Sequence, residues 1–266
     1  MNDWQQAQAF FRTDPLKYLV HLKYMHLYGD SMTCMVLERD RQRAVLLTYP
    51  TGRVVWDATA YPMAEQVLLP AAETPVMAEV LLHEMRQNGL LELCQVIKFC
   101  EADTETLMVD RLKLEFARAL RSYTSRQGFH YEPHLDVRIE SQPTEAHIAA
   151  FVANGYSASE IDGYFKNGTT LFSIYDGQVL LSSCMTYQNF DEVWEVAGVH
   201  THASARRKGY ARQVVQTALW HLLKAGRIPR YHVEMLNTSS IQLAEGLGLR
   251  PCLQFTHYVY QPTAEG

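Results

Sequence analysis

Apolar and polar positions alternate along the chain with two different periods. From Asp14 to Tyr28, Leu16, Leu19, Val20, Leu22 and Leu27 recur near the helical period. Short extended runs follow at Thr33 to Glu38, Ala44 to Tyr49 and Arg53 to Trp56, with Thr51-Gly52 as a hairpin turn between the last two. Pro75 opens a helix through Gln87, which Asn88-Gly89 ends. Leu91 to Cys100 reads as a strand, Thr104 to Arg126 as one long helix stopped by Gly128, and Phe129 to Ile139 as extended.

The pattern restarts near Ser141 to Thr144, where Pro143 marks a boundary region. Helices are predicted over Glu145 to Ala153 and Ala158 to Lys166, the second with a Ser157/Glu160 capping box. Thr170 to Tyr175 and Gln178 to Tyr187 flank Asp176-Gly177 as a hairpin, and Val193 to Thr201 is a third, nearly apolar strand. Gly209 to Lys224 is an amphipathic helix with Val214, Val215, Ala218, Leu219, Leu222 and Leu223 on one face, ended by Ala225-Gly226. Ile228 to Met235, Ser239 to Gly246 and Leu249 to Tyr260 read as strand, short helix and strand. Two α/β domains are expected, 1–134 and 135–266. The halves end in similar succession, which fits either a cryptic duplication or the ordinary repetition of α/β units.

Composition narrows the classes. Hydrophobic residues make up 47% and charged residues 20%, so the chain is globular rather than disordered. A net charge of −5 argues against a general nucleic-acid binder, whose affinity rests on surplus Lys and Arg. The five cysteines are scattered without a C-x-x-C pair, which argues against a zinc ribbon or redox motif. The start, MNDWQQAQAFF, lacks a basic region followed by an apolar one, and no run nears 18 apolar residues. A cytoplasmic protein with no membrane partner is the expectation.

The informative stretch is Trp194 to Leu223. A strand runs into a turn with three consecutive cations, Arg206, Arg207 and Lys208, followed by Gly209, Tyr210, Ala211 and Arg212 at the mouth of a helix. A helix N-terminus has free N–H groups and partial positive charge, and small residues there let an anion approach the backbone. The plainer reading is a solvated basic helix start.

RRKGYA resembles the R/Q-x-x-G-x-G/A pyrophosphate loop of the GCN5-related N-acetyltransferases (GNAT), and NTSSIQLAEGLGL, from Asn237 to Leu249, is similar to that family's downstream N-x-x-x-x-x-L-x-x-x-L-G-F segment. The resemblance spans about Leu135 to Tyr260. It implies the acyl-CoA N-acyltransferase fold, a mixed and mostly antiparallel sheet flanked by helices, with the N-terminal half as a second α/β domain. It implies acetyl-CoA as acyl donor, no metal, and direct attack by a primary amine, from a small molecule or a peptide. By position, Val199, His200 and Thr201 would offer backbone groups to the pantetheine arm. Arg206 to Arg212 would hold the diphosphate, and Asn237 and Ser240 would touch the far side of the cofactor. Asn237 reads equally as a helix N-cap.

Glu195 stands eleven residues before Arg206, the spacing at which some members carry a catalytic Glu. A protonated alkylamine has a pKa of about 10.4, so only about one molecule in 10³ is nucleophilic at pH 7. A carboxylate takes that proton directly or through water. The rival is a strand Glu facing solvent or pairing with a basic neighbour. Many relatives place a Tyr in the short helix as general acid, where this chain has Ala244. That departure favours an alternative, a non-catalytic CoA-binding or interaction module.

Other motifs fail. His200 and His202 share a strand face without further ligands, and His83-Glu84 meets Gln87 where H-E-x-x-H needs His. There is no G-x-S-x-G elbow. VLLPAAET, before the helix at Pro75, lacks the phosphate turn, so the first half is expected to bind no CoA diphosphate. It would shape the acceptor site or build a homodimer.

Overall fold

The structure is a computed structural model, and it describes residues 1–126 and 128–262. The chain divides into two compact units, Met1–Leu120 with the chain from Leu253 onward, and Arg121–Cys252.

The first unit contains α1 (Asp3–Phe11), α2 (Leu19–Tyr28), β1 (Thr33–Arg39), β2 (Gln42–Pro50), α3 (Val55–Ala60), β3 (Gln66–Ala72), α4 (Pro75–Gln87), β4 (Gln95–Phe99) and α5 (Ala102–Leu112). β5 (Glu115–Thr124) runs across the division. The second unit continues with β6 (Arg138–Glu140), α6 (Glu145–Ala153), α7 (Ala158–Lys166), β7 (Thr170–Asp176), β8 (Val179–Phe190), β9 (Val193–Thr201), α8 (Tyr210–Lys224), β10 (Ile228–Glu234) and α9 (Thr238–Gly246). β11 (Arg250–Tyr260) carries the chain back to the first unit.

Strand order is β1-β2-β3-β4-β11 in the first unit and β5-β10-β9-β8-β7-β6 in the second. Both are mostly antiparallel, with a parallel pair at β3–β4 and at β9–β10. This is the expected mixed α/β layout with a second N-terminal α/β domain. In the second unit, one sheet face packs Phe172, Cys184, Val196, Tyr231 and Val233 under Val215, Ala218, Leu219 and Leu222 of α8. The other face packs Leu171 and Met185 under Phe151 and Ile161 of α6 and α7. Each fully buried Leu or Phe contributes about 1.5–3 kcal/mol.

Three local expectations change, and one strand was not foreseen. The long helix expected from Thr104 to Arg126 ends at Leu112, because Lys113 adopts a left-handed conformation (φ 53°, ψ 49°) and β5 follows. EFARALRSYT is rich in helix formers, yet pairing beside β10 decides its conformation. Arg53 to Trp56 is not a strand but the link between a 3-10 turn and α3. β3 contains Pro70, which disguised it in the sequence; its parallel partner β4 pairs only with Gln66–Leu68, so the missing N–H removes no rung there. The division between units falls at 120/121 and 252/253 rather than 134/135, since β11 pairs with β4.

Within the first unit, α2 buries His21 against Phe11 and Tyr18, and neither ring nitrogen has a hydrogen-bond partner among the described residues. Burial, with Lys17 nearby, lowers its pKa from 6.5 to about 3. The unfolded chain therefore takes up a proton below pH 6.5 that the folded chain refuses until about pH 3. Stability falls as pH drops through that window, by about 2 kcal/mol at pH 5 for this group alone. Urea melts of His21→Leu should show a correspondingly flatter loss between pH 8 and pH 5 than the parent; equal slopes would refute the assignment.

Candidate active site

The second unit opens where its parallel pair ends. β9 and β10 share rungs over Val193–Glu195 and Ile228–Arg230 and part beyond them. On its other side β9 stays paired with β8, through a register shift between Met185↔Ala197 and Ser183↔His200. The bulge centres on Gly198, whose φ of +62° belongs to the left-handed region. A Cβ there would lie 2.8 Å from Cδ1 and Cε1 of Phe151, so both conformation and space require glycine.

The predicted cationic turn follows β9. A 3-10 turn at Ala203–Ala205 leads to Arg206, Arg207, Lys208 and Gly209, all exposed. Arg207 (φ 63°) and Gly209 (φ 85°) are both left-handed, and Gly209 is the N-cap of α8. It has no side chain to accept from the first-turn N–H groups of α8. A Cβ on Gly209 would meet nothing within 4 Å.

The remaining expected residues divide. Val199, His200 and Thr201 lie on β9 as predicted, but all three of their carbonyls accept from side chains: Asn154 Nδ2 donates to Val199 O at 3.2 Å, Ser182 Oγ to His200 O at 2.8 Å, and Arg206 Nε to Thr201 O at 3.3 Å. Burial, with Arg206 and His202 nearby, lowers the pKa of His200. Tyr210 and Ala211 form the first turn of α8. Arg212 turns elsewhere, its Nη1 donating to Gly246 O at the end of α9 at 2.6 Å. Asn237 is the N-cap of α9, its Oδ1 accepting from Ser240 N at 3.1 Å. The capping reading of Asn237 is thus the observed one, and Ser240 is its capping partner. Ala244 is fully buried in the core beneath the sheet.

Glu195 is also buried, and it has a partner. Its Oε2 accepts from Arg230 Nη1 at 2.9 Å and from Asn189 Nδ2 at 2.8 Å, with each side chain of the ion pair 4% exposed. Parallel register makes this pair, since Arg230 is the rung opposite Glu195. Oε1 is buried without a hydrogen-bond partner among the described residues. Tyr187 stands opposite Glu195 on β8 and stacks on Tyr164, with ring centroids 4.1 Å apart. Burial first, and then Glu195, raise the pKa of Tyr187 well above its ordinary value.

Sequence reasoning missed the groups around this carboxylate. Arg230 Nε donates to Ser122 Oγ at 3.1 Å, Arg230 Nη2 reaches His232 Nδ1 at 2.9 Å, and Ser122 Oγ lies 2.8 Å from the same nitrogen. The alternation of Arg230 and His232 on one strand was the available signal. Their partner Ser122 sits on a segment that reads as helix.

The first unit has a parallel pair of the same kind, but its opening is filled. β3 and β4 share rungs only over Gln66–Leu68 and Gln95–Ile97. Beyond them the buried carboxylate of Glu101 accepts from Ala72 N, the Tyr18 hydroxyl and Thr104 Oγ1, and pairs with Lys17 Nζ at 2.8 Å. α4 begins with Pro75, and Thr74 Oγ1 already accepts from Met77 N. Among the described residues no group of His, Cys, Asp and Glu is gathered as for a metal ion, and no helix is long and apolar enough to cross a membrane.

These features can be set beside known proteins. No curated protein matches the sequence. A GNAT-family acetyltransferase from Colwellia psychrerythraea is similar in structure with a TM-score of 0.63 at 13% identity, over 97% of this chain and 95% of that one. A GCN5-related N-acetyltransferase from Kribbella flavida gives 0.59 at 16% identity, over 94% and 96%. A tandem GNAT protein from the clavulanic acid biosynthesis pathway gives 0.52 at 8% identity, over 91% and 87%, in keeping with the second N-terminal domain. At such identities the likeness is one of fold. The family model for GNAT acetyltransferases matches residues 105–258, more than half of the sequence, and the chain belongs to that family.

Proposed function

We propose that the second unit transfers an acetyl group from acetyl-CoA to a primary amine, borne by a small molecule or a peptide. The observation that carries this reading is the opening between β9 and β10 with a cationic turn at the N-terminus of α8 beyond it. The diphosphate would meet the first-turn N–H groups of α8 and the charges of Arg206, Arg207 and Lys208. The acyl end would then lie between the parted strands. The amine nitrogen attacks the thioester carbonyl, a C–N bond forms, the C–S bond breaks, and the proton lost by nitrogen ends on the thiol. Glu195 Oε1 is the oxygen left to receive that proton, directly or through water, while Arg230 and Asn189 hold Oε2.

Calorimetry with acetyl-CoA tests the site. One molecule should bind per chain, because Glu101 occupies the corresponding opening of the first unit. Gly209→Asp should weaken binding at least about tenfold, or 1.4 kcal/mol. Asn tolerates the left-handed φ and is neutral, so Gly209→Asn should weaken it less and separate charge from strain. A stoichiometry of two, or unchanged affinity in a folded Gly209→Asp chain, would overturn the assignment.

A second reading, a CoA-binding module without transfer, draws on the Glu195–Arg230 pair and on Ala244. A panel of amines with detection of free thiol separates the two. Thiol release dependent on an amine supports transfer; tight binding without it supports the module.

A further inference from the structure

One edge of the first unit's sheet is open. β1 pairs with β2 in unbroken register from Thr33↔Thr48 to Arg39↔Gln42, and it stands last in the strand order. Among the described residues no strand pairs with its other side, so half of its backbone groups lack a strand partner. We infer that the chain forms a homodimer in which this edge pairs with itself, β1 running antiparallel to β1 of a second copy about a two-fold axis at Val36.

The turn between β1 and β2 fixes which groups face the open side. Asp40 (φ 52°) and Arg41 (φ 63°) are both left-handed, as a two-residue type I′ turn requires. Such a turn is closed by a hydrogen-bonded pair, here Arg39 and Gln42. Pairs then alternate, so Leu37, Met35 and Thr33 also direct their N–H and C=O groups to β2. Glu38, Val36 and Cys34 direct theirs outward. β2 obeys the same alternation: Gln42 bonds back to β1, and the next carbonyl, Arg43 O, accepts from Glu73 N on the far side at 3.0 Å.

Two such edges can pair only with outward residues set against outward residues. A centre at Val36 does this and overlaps all seven residues of each strand. Cys34, Val36 and Glu38 then exchange both backbone bonds with Glu38, Val36 and Cys34 of the second copy. Met35 meets Leu37, and Arg39 meets Thr33, so no like charges stand opposite each other. A centre at Glu38 would oppose two carboxylates and shorten the overlap. The turn of one copy, with Arg39 and Arg41 exposed, comes level with the exposed Asp30 that precedes β1 in the other, which adds opposite charge at both ends of the pair.

The edge also lacks the usual defences against pairing. TCMVLER has no Pro and no Lys, its register has no bulge, and charge enters only at its end. At the other end of the strand order β6 is only three residues long. β1 is held from both faces: Met35 and Leu37 pack on the core that α4 covers, and Cys34 Sγ donates to Asp3 O of α1 at 3.7 Å. A second copy closes the edge completely, because a two-fold pair leaves neither β1 open to a third chain.

Sedimentation velocity of the full chain tests the pairing. The parent should run at twice its chain mass of 30.5 kDa. Val36→Pro should run as a single chain with Tm within a few degrees of the parent, because the N–H that proline removes makes no bond to β2. A monomeric parent from micromolar to near-millimolar concentration overturns the inference. So does a dimer that persists in folded Val36→Pro, which places the interface elsewhere. Cross-linking decides independently, even if proline unfolds the chain. Cys34→Ser with Val36→Cys sets one thiol from each copy on the axis, within disulfide reach, so mild oxidation should give a covalent dimer that Cys34→Ser alone does not. Equal yields from the two overturn the inference.

Discussion

Glu195→Gln should lower kcat for amine acceptors by about 10²- to 10⁴-fold while acetyl-CoA still binds. Gln retains the size of Glu and an oxygen that can accept from Arg230, but it has almost no basicity. Two roles are open to this buried carboxylate, and they predict different pH behaviour. As a base acting through Oε1, Glu195 matters most where the acceptor is protonated. The defect should then shrink as pH rises toward about 10.4, the ordinary pKa of an alkylammonium. As the counter-ion of Arg230 alone, Glu195 acts by holding the rung between β9 and β10. Removing one partner of a buried pair costs about 3–5 kcal/mol when the other charge is left behind. That role predicts a Tm loss and a rate defect that is level across pH. A pH-independent defect accompanied by weaker acetyl-CoA binding would therefore remove the base assignment and leave the ion pair. The measurements are kcat from pH 6.5 to 9.5, calorimetry, and a thermal melt of the same preparation.

Gly198→Ala should be the most destabilising small substitution in the second unit. The left-handed φ of +62° costs a non-glycine residue about 1–2 kcal/mol. The added methyl would stand 2.8 Å from two ring carbons of Phe151 and 3.3 Å from Met185 Cε, and overpacking of this kind costs about 1–3 kcal/mol more. Together these predict a fall in Tm of roughly 8–20 °C in a melt that follows this unit. Phe151→Leu in the same chain relieves the ring contact but leaves the backbone strain, so it should recover only part of the loss. A Gly198→Ala melt within about 2 °C of the parent would show that the bulge is built differently. The bulge also sets the edge that β9 turns toward β10, so kcat should fall even where the variant remains folded.

Much of the second unit was legible locally. The run of Arg206, Arg207, Lys208 and Gly209 carries its own meaning, because a left-handed glycine at a helix N-terminus and three adjacent cations act within one turn of chain. Of the predicted face of Val214, Val215, Ala218, Leu219, Leu222 and Leu223, all but the half-buried Leu223 are buried, and Thr217 is buried with them. The strands from Thr170 to Thr201 were signalled by their turns as much as by their apolar runs. Asn237 and Ser240 were placed in the right short helix, but as cofactor contacts their signal was ambiguous, since a capping Asn and a binding Asn look alike in sequence.

The chemistry around Glu195 was not legible, for a different reason. Its neighbours are supplied by other strands: Asn189 from β8, Arg230 from β10 and, through Arg230, Ser122 from β5. Strand register creates these contacts, and register between distant segments leaves no trace in local periodicity. β5 shows this most clearly. Glu115 to Thr124 has helix-forming composition, and it becomes a strand because Ser122 and Thr124 find partners in His232 and the Pro229 carbonyl. The first unit gives the reverse lesson. Its sequence lacked a phosphate turn, but only packing revealed that the opening between β3 and β4 is filled by Glu101 with Tyr18, Thr104 and Ala72 N. By itself, then, the sequence determined where a cationic turn meets a helix N-terminus and which helix it opens, since backbone conformation and helix-end charge are local. Tertiary structure alone decided which basic residue pairs with Glu195 and which strands supply its other partners. Each of those depends on the few ångströms between strands that the chain brings together only on folding.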